Sequence, residues 1–168
     1  SSITLSWENG LGQIFNREIA VDDDFMFTIT QTVTNNADAP VAMAPYGMIA
    51  QHGLPLDLKN FFILHEGAVA QGGGELAETD WDDIAEADID PKGGRPAIVT
   101  EDTTDGWVGF TAHYWQAVLV PENTQVFDQA LTYDARADTY RAFARLPTQT
   151  VAAGETAAVT TQLFAGAK

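Results

Sequence analysis

The residues with the best claim to chemistry are three histidines and one glutamate: His52, His65, His113 and Glu66. An imidazole beside a carboxylate can move protons, and a Glu base with a His acid acting on a sugar ring would be a mutarotase-type site. Spacing argues against it. His65 and Glu66 are adjacent, so in a strand they point to opposite faces and share no site. No His-x-x-x-His pair or similar zinc spacing occurs. The expectation is histidines in loops or at strand ends, with ordinary hydrogen bonds. No catalytic residue, metal ligand or cofactor site is assigned.

A second candidate is the run from Glu75 to Asp90. Its charged residues are Glu75, Glu78, Asp80, Asp82, Asp83, Glu86, Asp88 and Asp90, all acidic. A calcium loop needs Asp-x-Asp-x-Asp-Gly and a distal Glu, and this run has neither. It reads as a solvated acidic segment, suited at most to a basic partner. A short helix through Trp81 and Ile84, capped by Thr79, is expected there; a strand followed by an irregular loop is the other option. No nucleophile elbow, phosphate loop or dinucleotide fingerprint is present. Gly72-Gly73-Gly74 reads as a hinge. Trp107, Tyr114 and Trp115 lie in alternating runs and are expected in the core rather than on a ligand platform.

The whole chain sets limits on partners. Its 168 residues carry 24 Asp and Glu against 8 Lys and Arg, a net charge of −16 with a pI near 4.1. That field repels phosphate backbones and anionic lipid, so nucleic-acid binding and direct anionic-lipid binding are not expected. Cysteine is absent, which removes disulfides and thiolate catalysis. No apolar run reaches the roughly 20 residues of a membrane span. Residues 1–168 fit one domain, and both ends look cut, as in a fragment of something longer.

The elements that would position these residues are strands. The centre is Gly106 to Pro121, the densest run of aromatic and β-branched residues. A turn near Ala112 and His113 splits it into two strands in the middle of a sandwich. Gly109 allows close approach of a facing group. In Ile3 to Trp7, Ile3, Leu5 and Trp7 alternate with Thr4 and Ser6, the mark of a half-buried strand. Asn9-Gly10 turns the chain into a second strand, Gln13 to Val21. From Phe25 to Thr34, Phe25, Phe27, Ile29 and Val33 share one face and the threonines with Met26 the other. Extended runs follow at Val41 to Gln51 and Phe61 to Val69, then a short strand at Ile98 and Val99. A hairpin, Thr124 to Tyr133 with Thr139 to Leu146, and a last strand from Thr156 to Phe164 complete the set. The class is all-β, an antiparallel β-sandwich with at most one short helix.

Several of these segments, in order, carry a resemblance. They are Val21 to Gln31, the Pro45-Tyr46-Gly47 turn, Leu64-His65-Glu66-Gly67, the Gly-Trp-Val, Tyr-Trp and Val-Pro elements of the centre, and the closing Leu163-Phe164-Ala165-Gly166-Ala167-Lys168. Together they resemble the large periplasmic domain of the YidC insertases, bacterial inner-membrane proteins of the Oxa family. The resemblance implies a β-supersandwich similar to galactose-mutarotase-like domains, and that fold analogy, with the paired aromatics, makes a carbohydrate-binding or carbohydrate-modifying (mutarotase-like) β-sandwich the alternative reading. It implies a place on the periplasmic face of the inner membrane, and a non-catalytic role in insertion and folding of inner-membrane proteins. The implied partners are Sec translocon accessory subunits (SecD/SecF-like) and membrane-protein substrate chains. In the family the Sec contact lies mid-domain, by position the stretch from Tyr46 to Trp81, with Tyr46, Phe61, Phe62 and Trp81 as candidate contact residues. The family domain has further strands before the point matching Ser1, so the chain would be its second part. A cut sheet edge favours weak self-association.

Overall fold

Alternation becomes strand from the first residues. In the computed structural model, which describes residues 1–56, 58 and 64–168, β1 (Ser2–Glu8) pairs with β2 (Gln13–Val21), and β2 with β3 (Met26–Asn35), all antiparallel. Gly10 and Gly12 in the first turn adopt φ of 73° and 93°, a region glycine enters without strain. The Asn9 carboxamide oxygen accepts hydrogen bonds from the Leu11 and Gln13 amides, which fixes that turn. Phe25 falls outside β3. It takes φ 63° in the turn held by Asp22, and its ring is exposed.

The extended run expected from Val41 to Gln51 is two strands, β4 (Val41–Met43) and β5 (Tyr46–His52). Pro45 lies at the break, where the missing N–H costs no ladder bond. The strand expected from Phe61 to Val69 begins only at Gly67, as β6 (Gly67–Gly72), and residues 59–63 lie outside the described residues. The acidic run contains β7 (Glu75–Thr79), the helix α1 (Trp81–Ala85) and β8 (Ile89–Asp90). Asp80, not Thr79, occupies the N-cap position of α1. Then come β9 (Arg95–Thr103), β10 (Trp107–Thr111), β11 (Trp115–Pro121), β12 (Phe127–Asp134), β13 (Thr139–Arg145), β14 (Gln149–Val151) and β15 (Thr156–Ala167).

These strands form an antiparallel β-sandwich. One sheet has eight strands in the order β1-β2-β3-β15-β11-β10-β6-β7, and the other five, β5-β13-β12-β9-β8. A small β14–β4 pair stands beside them. The central hairpin is as expected. The Ala112 amide donates to the Trp115 carbonyl at 2.8 Å, and β10 and β11 lie within the large sheet. A Cβ at Gly109 would collide with the Ala117 carbonyl of β11, so no larger residue fits that approach.

The core lies between β6, β10, β11 and β15 on one side and β12 and β13 on the other. Ala68, Val108, Phe110, Leu119 and Val159 face Leu131, Tyr140, Ala142 and Ala144. Helix α1 closes one side: Trp81 stacks on Phe110 with ring centroids 5.1 Å apart and meets Tyr140 edge-on at 4.9 Å. Burying one large apolar side chain of this kind contributes roughly 1.5–3 kcal/mol.

Candidate functional site

Directly paired residues of antiparallel strands stand on the same side of a sheet. Ile3, Leu5 and Trp7 of β1 are paired with Ile19, Arg17 and Phe15 of β2. These pair in turn with Ile29, Gln31 and Val33 of β3, and those with Thr161, Val159 and Ala157 of β15. The same face continues through Leu163 and Leu119 to Val108 and Ala70. It is therefore one face of one sheet. Toward β10 and β11 the five-stranded sheet packs on it, with β5 and β13 in contact. Toward β1 the face is open, and Ile3, Leu5 and Trp7 are 59%, 53% and 62% exposed. The half-buried strand expected at Ile3 to Trp7 has the right alternation, but its apolar side is uncovered.

The open face forms a groove of about 510 Å³. Its floor carries Leu5, Trp7, Phe15 and Val33; Met43, Pro45 and Val151 form the facing wall. Trp7 and Phe15 pack with ring centroids 5.1 Å apart. Arg17 is the one basic residue of the lining. Its guanidinium donates to the Gln31 side-chain oxygen at 3.4 Å, and the Gln31 amide donates to the Tyr46 carbonyl at 3.2 Å. Gln31 thus ties floor to rim.

A buried polar knot holds the β1–β2 turn, the end of β3 and β14 together. Asn9 donates to Gln13 at 2.8 Å, and Gln13 to Asn35 at 2.9 Å. The fully buried Asn35 amide donates to the carbonyls of Ala39, at 2.9 Å, and Val151, at 3.0 Å.

The expected contact residues are distributed as follows. Tyr46 begins β5 and is exposed at the rim; its ring lies 6.3 Å from that of Phe143, on the outer face of the five-stranded sheet. Phe61 and Phe62 lie outside the described residues. Trp81 is only 4% exposed and is a core side chain, because Trp81 and Ile84 share the buried side of α1. Tyr46 and Trp81 do not meet. Tyr114 and Trp115, expected in the core, are exposed: Tyr114 lies in the hairpin turn and Trp115 starts β11, paired with Ala167 at the sheet's end.

The histidines have separate partners. His52 Nδ1 is 3.1 Å from the Thr139 hydroxyl. His65 Nδ1 lies 3.5 Å from an Asp80 oxygen, and its Nε2 lies 2.9 Å from the Ala68 carbonyl. The buried Glu66 carboxylate lies 3.8 Å from His113 Nδ1. His65 and Glu66 do diverge, although both precede β6 rather than lying in a strand. Of the three histidines weighed with Glu66, it is His113 and not the adjacent His65 that approaches the carboxylate. Only the pairing of β6 with β10, which sets Gly67 opposite Thr111, creates that approach. Among the described residues no group of three or more His, Asp or Glu is placed to hold a metal ion, and no helix is long and apolar enough to cross a membrane.

On the outer face of the five-stranded sheet, Arg145 donates to Asp128 at 2.7 Å, and this bond holds the Asp128 carboxyl below the usual carboxylate range against the opposing effect of its burial. Arg95 and Arg141 lie 3.3 and 3.4 Å from Asp134.

A family model described as the YidC periplasmic domain matches residues 1–168. The chain belongs to the YidC periplasmic domain family. Its matched relatives include proteins named membrane protein insertase YidC from Roseobacter denitrificans, 54% identical over 166 residues, and from Ruegeria pomeroyi, 53% identical over 171. These alignments cover 99% of the chain but only 27% and 28% of the relatives, so the chain spans about a quarter of their length. As a member of the family it lies at the periplasmic face of the bacterial inner membrane. Among solved structures, a galactose mutarotase related enzyme from Lactobacillus acidophilus matches with a TM-score of 0.65 at 10% identity, covering 99% of this chain and 70% of that one. An α-galactosidase from Geobacillus stearothermophilus matches with a TM-score of 0.62 at 9% identity, covering 99% and 24%. Identities this low show the fold, a galactose-mutarotase-like β-sandwich, and nothing of activity. The carbohydrate reading is not favoured.

Proposed function

We propose that the chain is a non-catalytic periplasmic module of a YidC-type insertase, within a larger periplasmic domain, and that it aids membrane-protein insertion by surface contact. The contacts are with Sec accessory subunits or with substrate chains, and the contact surface is the groove between β1 and the β4–β14 pair together with its rim at Tyr46. One observation carries this reading: an apolar sheet face that continues the core is left open over about 510 Å³. Apolar patches of that kind mark interaction sites more often than plain surface. The relatives' name, membrane protein insertase, supports the choice of partner class. Tethering to a membrane-embedded part raises the effective concentration of such a surface, so a weak contact suffices.

The test uses the full-length insertase in its membrane. Trp7 is replaced by a photoreactive phenylalanine, and Thr4, on the opposite face of β1, serves as control. Adducts to a Sec accessory subunit or to a client chain from position 7, well above those from position 4, are expected. Equal yields from both positions would remove the groove from the account.

A further inference from the structure

The five-stranded sheet is nearly neutral in a strongly acidic chain. Its strands and the two hairpin turns among them, residues 46–52, 89–103 and 127–145, hold five cations, Lys92, Arg95, Arg136, Arg141 and Arg145, against six acids. They carry a charge of −1, and the rest of the chain carries the other −15. Like-charged bodies repel, so two copies approach at least cost through this sheet. Its outer face is the outward side of the second sheet and is turned away from β1.

Directly paired residues lay one apolar row across that face: Met48 of β5, Phe143 of β13, Ala130 of β12 and Val99 of β9. Met48 and Val99, at its ends, are 46% and 49% exposed. On one side of the row stand Arg145 and Asp128, joined at 2.7 Å. On the other stand Arg141 and Thr132. Thr132 is buried, and its hydroxyl has no hydrogen-bond partner among the described residues.

This pattern is complementary to itself. A two-fold axis parallel to the strands, between β13 and β12, would lay β13 of one copy over β12 of the other and β5 over β9, each row kept level. Phe143 then meets Ala130, large on small, and Met48 meets Val99. Arg145 meets the second copy's Asp128, and Arg141 brings guanidinium donors to the Thr132 hydroxyl. Every contact occurs twice, as an isologous interface requires.

We infer that the outer face of the five-stranded sheet is a self-association surface whose occupant is a second copy of this chain. Four strands about 4.8 Å apart and seven residues of about 3.3 Å each give a footprint of roughly 450 Å² per copy. The total, about 900 Å², falls short of the roughly 1,200 Å² at which stable complexes begin. The contact is therefore weak in dilute solution and forms between copies held in one membrane, where their effective concentration is high.

The experiment uses full-length insertase in its membrane, as a mixture of copies carrying Met48→Cys and copies carrying Val99→Cys, treated with a short bis-maleimide. The mixture should give severalfold more cross-linked dimer than either copy alone, because like positions lie at opposite ends of the row. A second arm exchanges the charges. Copies carrying Arg145→Asp with Asp128→Arg keep the internal pair and still match one another, but they set like charges against copies with the native charges. Yield among exchanged copies should equal the native yield. Yield between exchanged and native copies should fall at least about fivefold, the size of one well-made exposed ion pair. Copies carrying Thr30→Cys, on the outer face of the other sheet, report random collision. A mixture yield no higher than theirs, or no loss between exchanged and native copies, would overturn the inference. Adducts only to a different protein would assign the face to that protein and overturn it too.

Discussion

Val108 of β10 and Leu5 of β1 stand on the same face of the same sheet, near opposite ends of its strand order. Val108 is fully buried and Leu5 is half exposed. Around Val108, Phe110 and Leu119 pack under the second sheet against Tyr140 and Ala142. Around Leu5, Trp7 and Phe15 pack on one another and face open space. The side chains are of one kind, so the difference comes from what lies across from them. Stability needs the covered half. The open half leaves Ile3, Leu5 and Trp7 more than half exposed, each forgoing part of the roughly 1.5–3 kcal/mol that full burial contributes.

The sharpest way to break this contrast is to truncate one aromatic in each half. Phe110→Ala should cost about 3–5 kcal/mol in urea unfolding, because it removes a packed ring and leaves a cavity beneath Trp81. Trp7→Ala should cost under about 1 kcal/mol. Similar losses for both would mean that the open half is core in solution.

The junction between the halves gives the next largest effect. Asn35→Ala should destabilise by about 1–3 kcal/mol, since Gln13 and the Val151 carbonyl lose a buried partner. The same unfolding measurement reads it, and a loss below about 0.5 kcal/mol would show that the knot does not hold the groove's end.

The smallest effect belongs to the far face. Asp128 has its folded pKa depressed, chiefly by Arg145. Its stabilisation is therefore present above the unfolded value, about 3.9, and is lost as pH falls through that value toward the folded one. Arg145 is more than half exposed, so the contribution is under about 1 kcal/mol. Asp128→Asn should flatten the acid side of the stability–pH curve and leave groove adducts unchanged. A changed adduct yield would couple two faces that the account keeps apart.

Much of the fold was legible because its signals are local. The alternation of Tyr140, Ala142, Ala144 and Leu146 with Arg141, Phe143 and Arg145 follows the burial seen in β13. The second strand runs from Gln13 to Val21 as read, and the central hairpin turns at Ala112 to Tyr114. The groove was not legible. Period two separates the faces of β1, but the cover over each face depends on β15 joining β3 to β11, a pairing between distant parts of the chain. The short helix through Trp81 and Ile84 was legible, but Trp81's place among the contact residues came from its position in the family domain, and the helix buries it beside Ile84. Asn35 sat among turn formers, and nothing local marks it as the buried centre of a hydrogen-bond knot. Glu66 and His113 meet only through the register of β6 and β10.

The most direct measurement is a paired one on full-length insertase carrying Leu5→Asp and Trp7→Asp together: client insertion into vesicles, and resistance of the periplasmic region to proteolysis in urea. The account predicts a severalfold loss of insertion with an unfolding midpoint close to that of the unaltered protein. A midpoint that falls as far as that of Phe110→Ala, or insertion that is unaffected, would contradict it.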